Sequence, residues 1–529
     1  MAVREKAATM VLIGGAALIC SIFWISRRLR QGLSKTDGCA SFQSEASTED
    51  NTEEFEEIRE LEDTSLEMED RTPRDPLIRR SVGVKCLVNA DHLVPGAGKI
   101  YFRTFGCSHN VSDSEFMMGL LVKYGYTMVD SLHEADLCIF NSCTVKNPSQ
   151  DAAVNLTVKA EQLGKKIVVT GCVPQADQSI PIFQTASLVG VSNISEIVTV
   201  VEETLRGNRV VAIGKSSELP DINSMPKIRR NRLVEIIAVS TGCLGNCTYC
   251  KTKHARGELG SYTIQAILSR IETAVCEGVK QIWLTSEDLG AYGIDLRTTI
   301  VDLLDSILAI LEKHPDVMLR LGMTNPPYML EHAEAVGRIL SHPQVFEFLH
   351  LPVQSGSDSV LRDMRREYSV SDFEELIDRL KNIVPQVTLA TDIICGFPNE
   401  TDADHMQTLD LITRRKFPVI NISQFYPRPG TVAARMPRVP TKIAKERSSQ
   451  VTNLFESYTT TDSFLHKDVP VWFDLDMEES RSRSQSVGHT KTYTKVIVPF
   501  SEDLAGTKRI VRITSVHKWD MRGHIRDSA

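Results

Sequence analysis

Residues 233–250, LVEIIAVSTGCLGNCTYC, contain the strongest signal in the chain. The apolar run at its start predicts a buried β-strand, which leads directly into Cys243, Cys247 and Cys250. Three thiols within eight residues can bind three corners of a 4Fe–4S cluster. A zinc site with His254 as its fourth ligand is the alternative, because zinc is normally held by four protein ligands.

Strands and helices continue to alternate after this loop, in a unit predicted over residues 230–455. Helices are predicted between the strands, for example over Ile264–Glu277, Thr298–Lys313 and Val370–Ile383. About six β/α units predict a partial barrel, whose active site lies at the carboxyl ends of its strands. The predicted strands are Leu233–Val239, Gln281–Thr285, Met318–Met323, Val345–Leu351, Val387–Ile394 and Val419–Gln424.

Polar residues follow several of these strands. Taken singly, each could be a helix cap or a turn residue, which is the commoner role of Ser, Asp and Asn after a strand. Their recurrence around one face of the barrel predicts a cofactor pocket instead. The candidate cofactor contacts are Tyr249 from the cysteine loop, Ser286, Glu287, Asn325, Gln354, Ser355 and Asp392.

A second group of three cysteines lies in the preceding unit, predicted over residues 97–215. Its strands and helices alternate and predict a parallel, doubly wound sheet. Cys107, Cys143 and Cys172 each follow a different predicted strand, so they lie at the sheet edge where open α/β sheets bind ligands. Three unrelated buried thiols are the alternative. Three equivalent placements favour a shared metal site with one open position.

A third unit is predicted over residues 466–529. Short strand-like runs at 469–475, 492–499, 509–516 and 523–525 predict a small β-barrel. Ten basic and four acidic residues lie between Arg481 and Ala529, interspersed with aromatic residues. This composition suits contacts to phosphates and stacked bases, although a solvated barrel surface would look similar.

The N-terminal region differs from the rest in composition. Residues 7–26 carry no charge and are long enough to span a bilayer as a helix. Basic residues dominate on their C-terminal side, so residues 1–30 are predicted to anchor the chain with its body in the cytosol. A cleaved signal peptide is the alternative. Residues 31–96 predict an acidic, disordered linker.

Composition and charge exclude several protein classes. The 529 residues are 42% hydrophobic and 24% charged, which excludes a mainly disordered or collagen-like chain. Twelve cysteines are too few and too unevenly spaced for a small disulfide scaffold. The net charge is −8, but residues 45–70 alone carry −12, so the remainder is +4. A nucleic-acid partner therefore remains compatible with the overall charge.

The order of these units, together with local sequence, resembles the radical S-adenosylmethionine methylthiotransferase family. In that family a flavodoxin-like domain with three cysteines precedes the radical barrel, and a small barrel called TRAM follows it. Stretches such as RTFGCSHNVSDSEFM, TGCLGNCTYCKTKHARG and HLPVQSGSDSVL resemble the eukaryotic and archaeal branch. Enzymes of that branch act on N6-threonylcarbamoyladenosine at position 37 of ANN-decoding tRNA. Mammalian members carry a C-terminal anchor, so the N-terminal apolar segment departs from the family pattern.

The resemblance implies two 4Fe–4S clusters and S-adenosylmethionine as cofactors. Cys107, Cys143 and Cys172 would hold an auxiliary cluster whose open iron carries the sulfur to be delivered. Cys243, Cys247 and Cys250 would hold the reducing cluster. One S-adenosylmethionine would give its methyl group, and a second would be cleaved to a 5′-deoxyadenosyl radical that activates carbon 2 of adenine. Separately from the resemblance, the positive charge of Lys253 and Arg256 and their position just after the cysteine loop suit contact with the threonylcarbamoyl carboxylate or a phosphate.

Two other functions compete with tRNA methylthiolation. A radical enzyme of the same kind could methylthiolate a protein side chain, and a membrane-tethered RNA-binding protein could carry zinc in place of iron. The basic C-terminal unit and the two separate cysteine triads favour the tRNA enzyme. Endoplasmic reticulum and mitochondrial outer membrane both suit the predicted anchor. The sequence identifies neither the electron donor nor an oligomeric state.

Overall fold

The computed structural model describes residues 94–526, apart from 146, 215–218, 476–479 and 481. No helix within that described part of the chain is both long and apolar enough to cross a bilayer. The predicted anchor at residues 7–26 and nearly all of the predicted acidic linker lie outside the described residues.

The first unit is a six-stranded sheet with helices on both faces. The hydrogen-bonded strand order is β2-β1-β3-β4-β5-β6, and every pair is parallel, which confirms the predicted doubly wound fold. The strands are β1 (Lys99–Thr104), β2 (Thr127–Val129), β3 (Leu137–Ser142), β4 (Lys166–Gly171), β5 (Ser187–Val189) and β6 (Val211–Ala212). The helices are α1 (Ser108–Tyr124), α2 (Asn147–Gln162), α3 (Cys172–Ala176) and α4 (Ile197–Leu205).

Helix α1 begins earlier than the apolar pattern indicates. That pattern predicts a helix from Ser112, whereas the helix starts at Ser108. Its first two turns are mostly polar and yet buried, because they pack against the second unit instead of facing solvent. Burial by a neighbouring domain leaves no apolar periodicity in the sequence of the helix itself.

The second unit is a partial barrel of six parallel strands, as predicted. Strands β7, β10 and β11 pair with one another, as do β12, β13 and β14, and single bridges from Leu319 to Val345 and from Met323 to His350 join the two sets. The strands are β7 (Val234–Ala238), β8 (Ser240–Thr241), β9 (Gly260–Ser261), β10 (Gln281–Thr285), β11 (Met318–Arg320), β12 (Phe348–His350), β13 (Thr388–Cys395) and β14 (Val419–Gln424), with β8 and β9 forming a separate ribbon.

Helices cover the outside of this barrel and enclose its largest apolar core. Three of them, α7, α11 and α12, begin with a capping box that satisfies the free amide groups of the first turn. The helices are α5 (Thr252–Arg256), α6 (Ile264–Cys276), α7 (Ile300–Leu311), α8 (Pro326–Leu330), α9 (Ala333–Leu340), α10 (Asp358–Asp363), α11 (Val370–Ile383), α12 (Asp402–Arg415) and α13 (Thr441–Glu456).

The C-terminal unit is a closed five-stranded barrel, called the C-terminal barrel below. Its strands are β15 (Asp468–Phe473), β16 (Gln485–Thr490), β17 (Lys495–Pro499), β18 (Lys508–Val516) and β19 (Met521–Ile525), closed by pairing of β15 with β18. The sequence analysis missed β16, whose residues QSVGHT lack an apolar run. It also placed the start of β17 three residues too early, within the turn that connects the two strands.

The C-terminal barrel docks on the amino-terminal ends of the six-stranded barrel. The ring of Tyr493, in the turn between β16 and β17, lies 4.9 Å from that of Phe346 and 5.2 Å from that of Phe348. Lys491 in the same turn donates to the carbonyl of His342 at 2.8 Å. Rings and a charged hydrogen bond therefore fix the C-terminal barrel at the end of the barrel opposite the cysteine loop.

A buried ion network joins the first two units. Glu235 on β7 is fully buried and contacts Lys227 at 3.2 Å and Arg270 at 2.8 Å. Lys227 also contacts Glu115 of α1 at 3.1 Å. Burial raises the pKa of Glu235, but the cations outweigh burial and bring the pKa to about 2. The carboxylate is therefore charged at neutral pH, and the network holds α1 against the second unit.

Candidate active site

The first cysteine triad lies at the carboxyl ends of three adjacent strands. Cys107 follows β1, Cys143 follows β3, and Cys172 follows β4 as the first residue of α3. Cys143 and Cys172 are buried, Cys107 is half-buried, and all three are free thiols. The structure thus brings together the three cysteines that the sequence analysis grouped.

Two glycines allow the close approach of these loops. Gly106 has φ 94°, and a Cβ atom placed on it would lie 2.2 Å from the Cβ of Cys143. Gly171 has φ 92°, and a Cβ atom there would lie 2.2 Å from Oδ1 of Asn141. Both positions require left-handed backbone and leave no room for a side chain, so only glycine fits.

The three thiols differ in acidity. A hydrogen bond from Cys107 lowers the pKa of Cys143 to about 6, and the same contact together with burial raises the pKa of Cys107. Burial raises the pKa of Cys172 to about 12. The positive charge of Arg256 lowers the pKa of all three thiols, since it favours their thiolate forms. Thiolates are the forms that bind iron, so this guanidinium assists ligation.

The second triad lies in the loop that follows β7 and β8. Cys243, Cys247 and Cys250 are 1%, 3% and 2% exposed. A Cβ atom placed on Gly245 would lie 3.6 Å from Sγ of Cys243 and 3.9 Å from Sγ of Cys247, so both sulfurs face one small volume. Three converging thiols at strand ends have the donor chemistry that a cluster with one open iron requires.

Donors from outside the loop contact the second triad. Arg366 donates from Nη1 to Sγ of Cys247 at 3.0 Å, and the backbone amide of Thr252 donates to Sγ of Cys250 at 3.2 Å. Hydrogen bonds to sulfur stabilise the thiolate and affect the reduction potential of a bound cluster. Sequence reasoning missed Arg366, because it lies in the chain more than one hundred residues from the cysteines and in no recognisable motif.

Arg256 connects the two triads. It ends α5, the short helix after the second triad, and donates from Nη2 to Asn110 at 2.9 Å and to Asp113 at 2.7 Å, both on α1. Its Nε lies 3.1 Å from Glu287, at the end of β10. The structure therefore pairs Arg256 with protein carboxylates, whereas the sequence analysis expected a substrate group.

Glu287 also contacts the first unit. Its Oε1 lies 2.9 Å from Nδ1 of His109, at the start of α1. Burial raises the pKa of Glu287, but His109 and Arg256 outweigh burial and hold that pKa below its ordinary value. Glu287 is thus a charged bridging group between the two units, and only its second carboxylate oxygen remains for a ligand.

Several predicted cofactor contacts have buried polar atoms without partners. Ser286 Oγ, both side-chain polar atoms of Gln354, and Oδ2 of Asp392 make no hydrogen bond to any described residue. Gln354 is fully buried and has φ 70°, a strained conformation for a residue other than glycine. Buried polar atoms without partners are costly, so these groups fit a polar cofactor such as S-adenosylmethionine.

Asn325 is placed by charged neighbours. Its side-chain amide donates to Asp288 at 2.8 Å, and its carbonyl oxygen accepts a hydrogen bond from Arg366. Burial raises the pKa of Asp288 to about 6. A chain of contacts therefore runs from Asp288 through Asn325 and Arg366 to Cys247.

The remaining two predicted contacts have different surroundings. The hydroxyl of Ser355 accepts a hydrogen bond of 3.2 Å from the backbone amide of Ser357, and this contact stabilises a turn. The ring of Tyr249 packs edge-on against Phe397 with centroids 6.1 Å apart, in an apolar cluster that includes Cys247. Tyr249 therefore shields the second triad from water.

His350, at the end of β12, was missed by sequence reasoning. Its Nε2 lies 3.0 Å from Oδ1 of Asp392, which also accepts a hydrogen bond from Asn421 at 2.8 Å. The other ring nitrogen of His350 is buried without a partner among the described residues. Side chains alternate between the two faces of a strand, so His350 lies on the same inward face of β12 as Phe348. This alternation is the feature of the sequence that could have indicated His350.

Two known families match parts of this chain. Residues 99–189 match the Uncharacterized protein family UPF0004, and residues 237–412 match the Radical SAM superfamily. The first match covers β1 to β5 with the first triad. The second begins within β7, ends within α12 before β14, and contains the second triad.

Named relatives cover both units. A Xenopus laevis protein named threonylcarbamoyladenosine tRNA methylthiotransferase is 48% identical over 445 residues, which is 83% of this chain and 79% of that protein. The Homo sapiens protein of that name is 45% identical over 486 residues, covering 88% of this chain and 83% of the relative. A Pyrococcus abyssi protein named as a probable member is 34% identical, covering 81% of this chain and 99% of that one. The chain therefore belongs to the radical S-adenosylmethionine methylthiotransferase family, within its threonylcarbamoyladenosine tRNA branch.

Proposed function

We propose that this protein converts N6-threonylcarbamoyladenosine at position 37 of tRNA to its 2-methylthio derivative. The observation that carries the proposal is the pair of buried cysteine triads on two sheets, linked through Arg256. Sulfur insertion at an unactivated carbon needs both a sulfur carrier and a radical generator, and two triads provide one ligand set for each. The named relatives share both units with this chain.

Each triad is proposed to hold a 4Fe–4S cluster with one open iron. Cys107, Cys143 and Cys172 would hold the auxiliary cluster, and Cys243, Cys247 and Cys250 the reducing one. When bound, the clusters and S-adenosylmethionine would supply the sulfur, the methyl group, the reducing electron and the 5′-deoxyadenosyl radical. The proposed contacts of S-adenosylmethionine are Tyr249, Ser286, Glu287, Asn325, Gln354, Ser355 and Asp392.

Residues around the second triad hold and orient these groups. Arg366 donates to Cys247 and Asn325 together, so it fixes the cysteine loop relative to the cofactor pocket. The side-chain amide of Gln354 and Oδ2 of Asp392 have no hydrogen-bond partner among the described residues, so they can bind a polar ligand without rearrangement. Apolar packing by Tyr249 and Phe397 excludes water from the cysteine loop, which limits side reactions in the closed site.

The C-terminal barrel is proposed to bind the tRNA. Arg509, Arg512, Arg522 and Arg526 have side chains between 39% and 57% exposed, and Trp519 is also exposed. Exposed guanidinium groups bind phosphates, and an exposed indole can stack on a base.

The nucleosides of cellular tRNA test the proposed function directly. Cells that lack this chain should lose 2-methylthio-N6-threonylcarbamoyladenosine and accumulate its unthiolated precursor, measured by mass spectrometry. Re-expression of the full chain should restore the product. An unchanged nucleoside profile would contradict the tRNA substrate, and ribosomal proteins would then be examined for a methylthio group.

The two-cluster assignment predicts the iron content of matched cysteine variants. The wild-type chain reconstituted without oxygen should hold about eight iron atoms, and Cys143→Ala about four, because one ligand set is broken. This variant should still cleave S-adenosylmethionine but form no methylthio product. Cys138→Ala removes a buried thiol of β3 outside both triads and should retain all the iron. Product formation by Cys143→Ala would disprove the role of the first triad.

The position of Arg256 predicts uncoupling of the two half-reactions. Arg256→Gln leaves Asp113 and Glu287 buried without their cation, so the two triads should shift relative to each other. We expect 5′-deoxyadenosine to form while methylthio product falls about 100-fold, as displacements of about 1 Å can cause. Arg447→Gln, which breaks a buried pair with Glu400, is the matched control and should leave the ratio of the two products unchanged. A parallel fall of both products would contradict the bridging role.

Membrane attachment through residues 1–30 is also proposed, with the catalytic units in the cytosol. The support is the uncharged run at residues 7–26 and the basic residues that follow it. A chain without residues 1–30 should move from the membrane pellet to the soluble fraction and retain its activity on tRNA. Continued pelleting of the shortened chain would contradict the anchor.

A further inference from the structure

A large cavity lies at the end of the six-stranded barrel opposite the cysteine triads. It opens between the amino-terminal ends of the barrel strands and the C-terminal barrel. Trp283, Arg320, Phe348 and Thr388 line it from the barrel interior, while His489 and Tyr493 line it from the C-terminal barrel. None of these residues belongs to the proposed site of sulfur insertion, so the cavity is a separate feature of the fold.

Arg320, at the end of β11, lies inside this cavity and is 6% exposed. Its guanidinium carbon lies 4.7 Å from the ring centre of Trp283, 4.9 Å from that of Tyr493 and 5.3 Å from that of Phe348. Three rings thus surround the cation. Its Nε makes no hydrogen bond to any residue that the structure describes.

The carboxylates that line the cavity are already engaged by other groups. Asp474 accepts hydrogen bonds from Gln281, at 3.2 Å, and from His489. Glu115 contacts Lys227 at 3.1 Å and accepts a hydrogen bond of 2.8 Å from the backbone amide of Arg230. Among the residues that the structure describes, the cavity therefore contains a buried guanidinium whose charge neither lining carboxylate neutralises. Aromatic rings attract a cation but do not satisfy its donors.

We propose that this cavity binds a small-molecule oxyanion, a phosphate or a carboxylate, on the guanidinium of Arg320. A guanidinium presents parallel donors that match both groups, and hydroxyl-bearing Thr388 and Thr494 line the same cavity. The ligand must be small because the docked C-terminal barrel covers Arg320. A polynucleotide backbone could reach this residue only if that barrel separated from the strands.

Thermal unfolding of the full-length, cluster-loaded chain tests this site without any turnover. Inorganic phosphate and acetate are titrated separately, against sodium chloride of equal ionic strength. Binding to the folded state should raise the wild-type Tm by about 2 °C when at least one of the two anions is present at about five times its Kd, and the rise should grow with the logarithm of the anion concentration. The stronger of the two responses identifies the oxyanion class.

Matched variants assign the effect to Arg320. Arg320→Met keeps the length of the side chain and removes its charge, so the anion-dependent rise should disappear. Arg512→Met removes an exposed cation of the C-terminal barrel and should retain the full rise. Should Arg320→Met fail to fold, Arg320→Lys is the second variant. It keeps the positive charge but lacks the parallel N–H donors of the guanidinium, so its apparent anion affinity should fall at least about tenfold.

Three results would overturn the proposal. The first is that neither anion raises the Tm of the wild-type chain. The second is that an anion raises the Tm of Arg320→Met as much as that of the wild-type chain. The third is that tRNA changes the fluorescence of Trp283 while neither small anion changes it. Because the readout is binding, these results are independent of methylthiolation. An unchanged nucleoside profile in cells that lack the chain would leave this anion site standing, and absence of anion binding would leave the proposed function standing.

Discussion

The buried guanidinium of Arg256 contacts both halves of the candidate active site at once. Arg256 contacts Asp113 on the first sheet and Glu287 at the end of a barrel strand, and all three groups are more than nine-tenths buried. Burying these charges would be unfavourable without mutual pairing. Because both carboxylates stay close to the same cation, the strand ends that carry the cysteine triads are kept facing one another. The proposed cluster sites therefore share this contact as one of the links between their two units.

Features determined by local sequence were the ones that sequence analysis predicted well. Strands Gln281–Thr285 and Val419–Gln424 and helix Val370–Ile383 have the predicted limits, since each is bounded by polar or turn residues. The six cysteines could be placed in two groups because three lie in one loop and the others follow predicted strands. Parallel strands bring such positions to one edge, so topology alone was enough to place the thiols together.

Features that arise from contacts between distant residues were missed. Strand β16 has the residues QSVGHT, and only its pairing with two neighbours in the closed barrel makes it a strand. The first turns of α1 are polar because they pack against the second unit. Arg366 and His350 gain their roles from partners far away in the sequence, at Cys247 and Asp392. Neither periodicity nor motif spacing records such contacts.

The two ends of the barrel share one physical feature, which is a buried polar group without a partner among the residues that the structure describes. At the carboxyl ends of the strands, Gln354 and Asp392 have free atoms beside the cysteine loop. At the opposite end, Arg320 has a free donor among three aromatic rings. A fold that satisfies nearly all of its buried polar groups has no structural need for such exceptions. Where a cofactor is expected, the exception is explained by the cofactor, and consistency assigns a ligand to the other end as well.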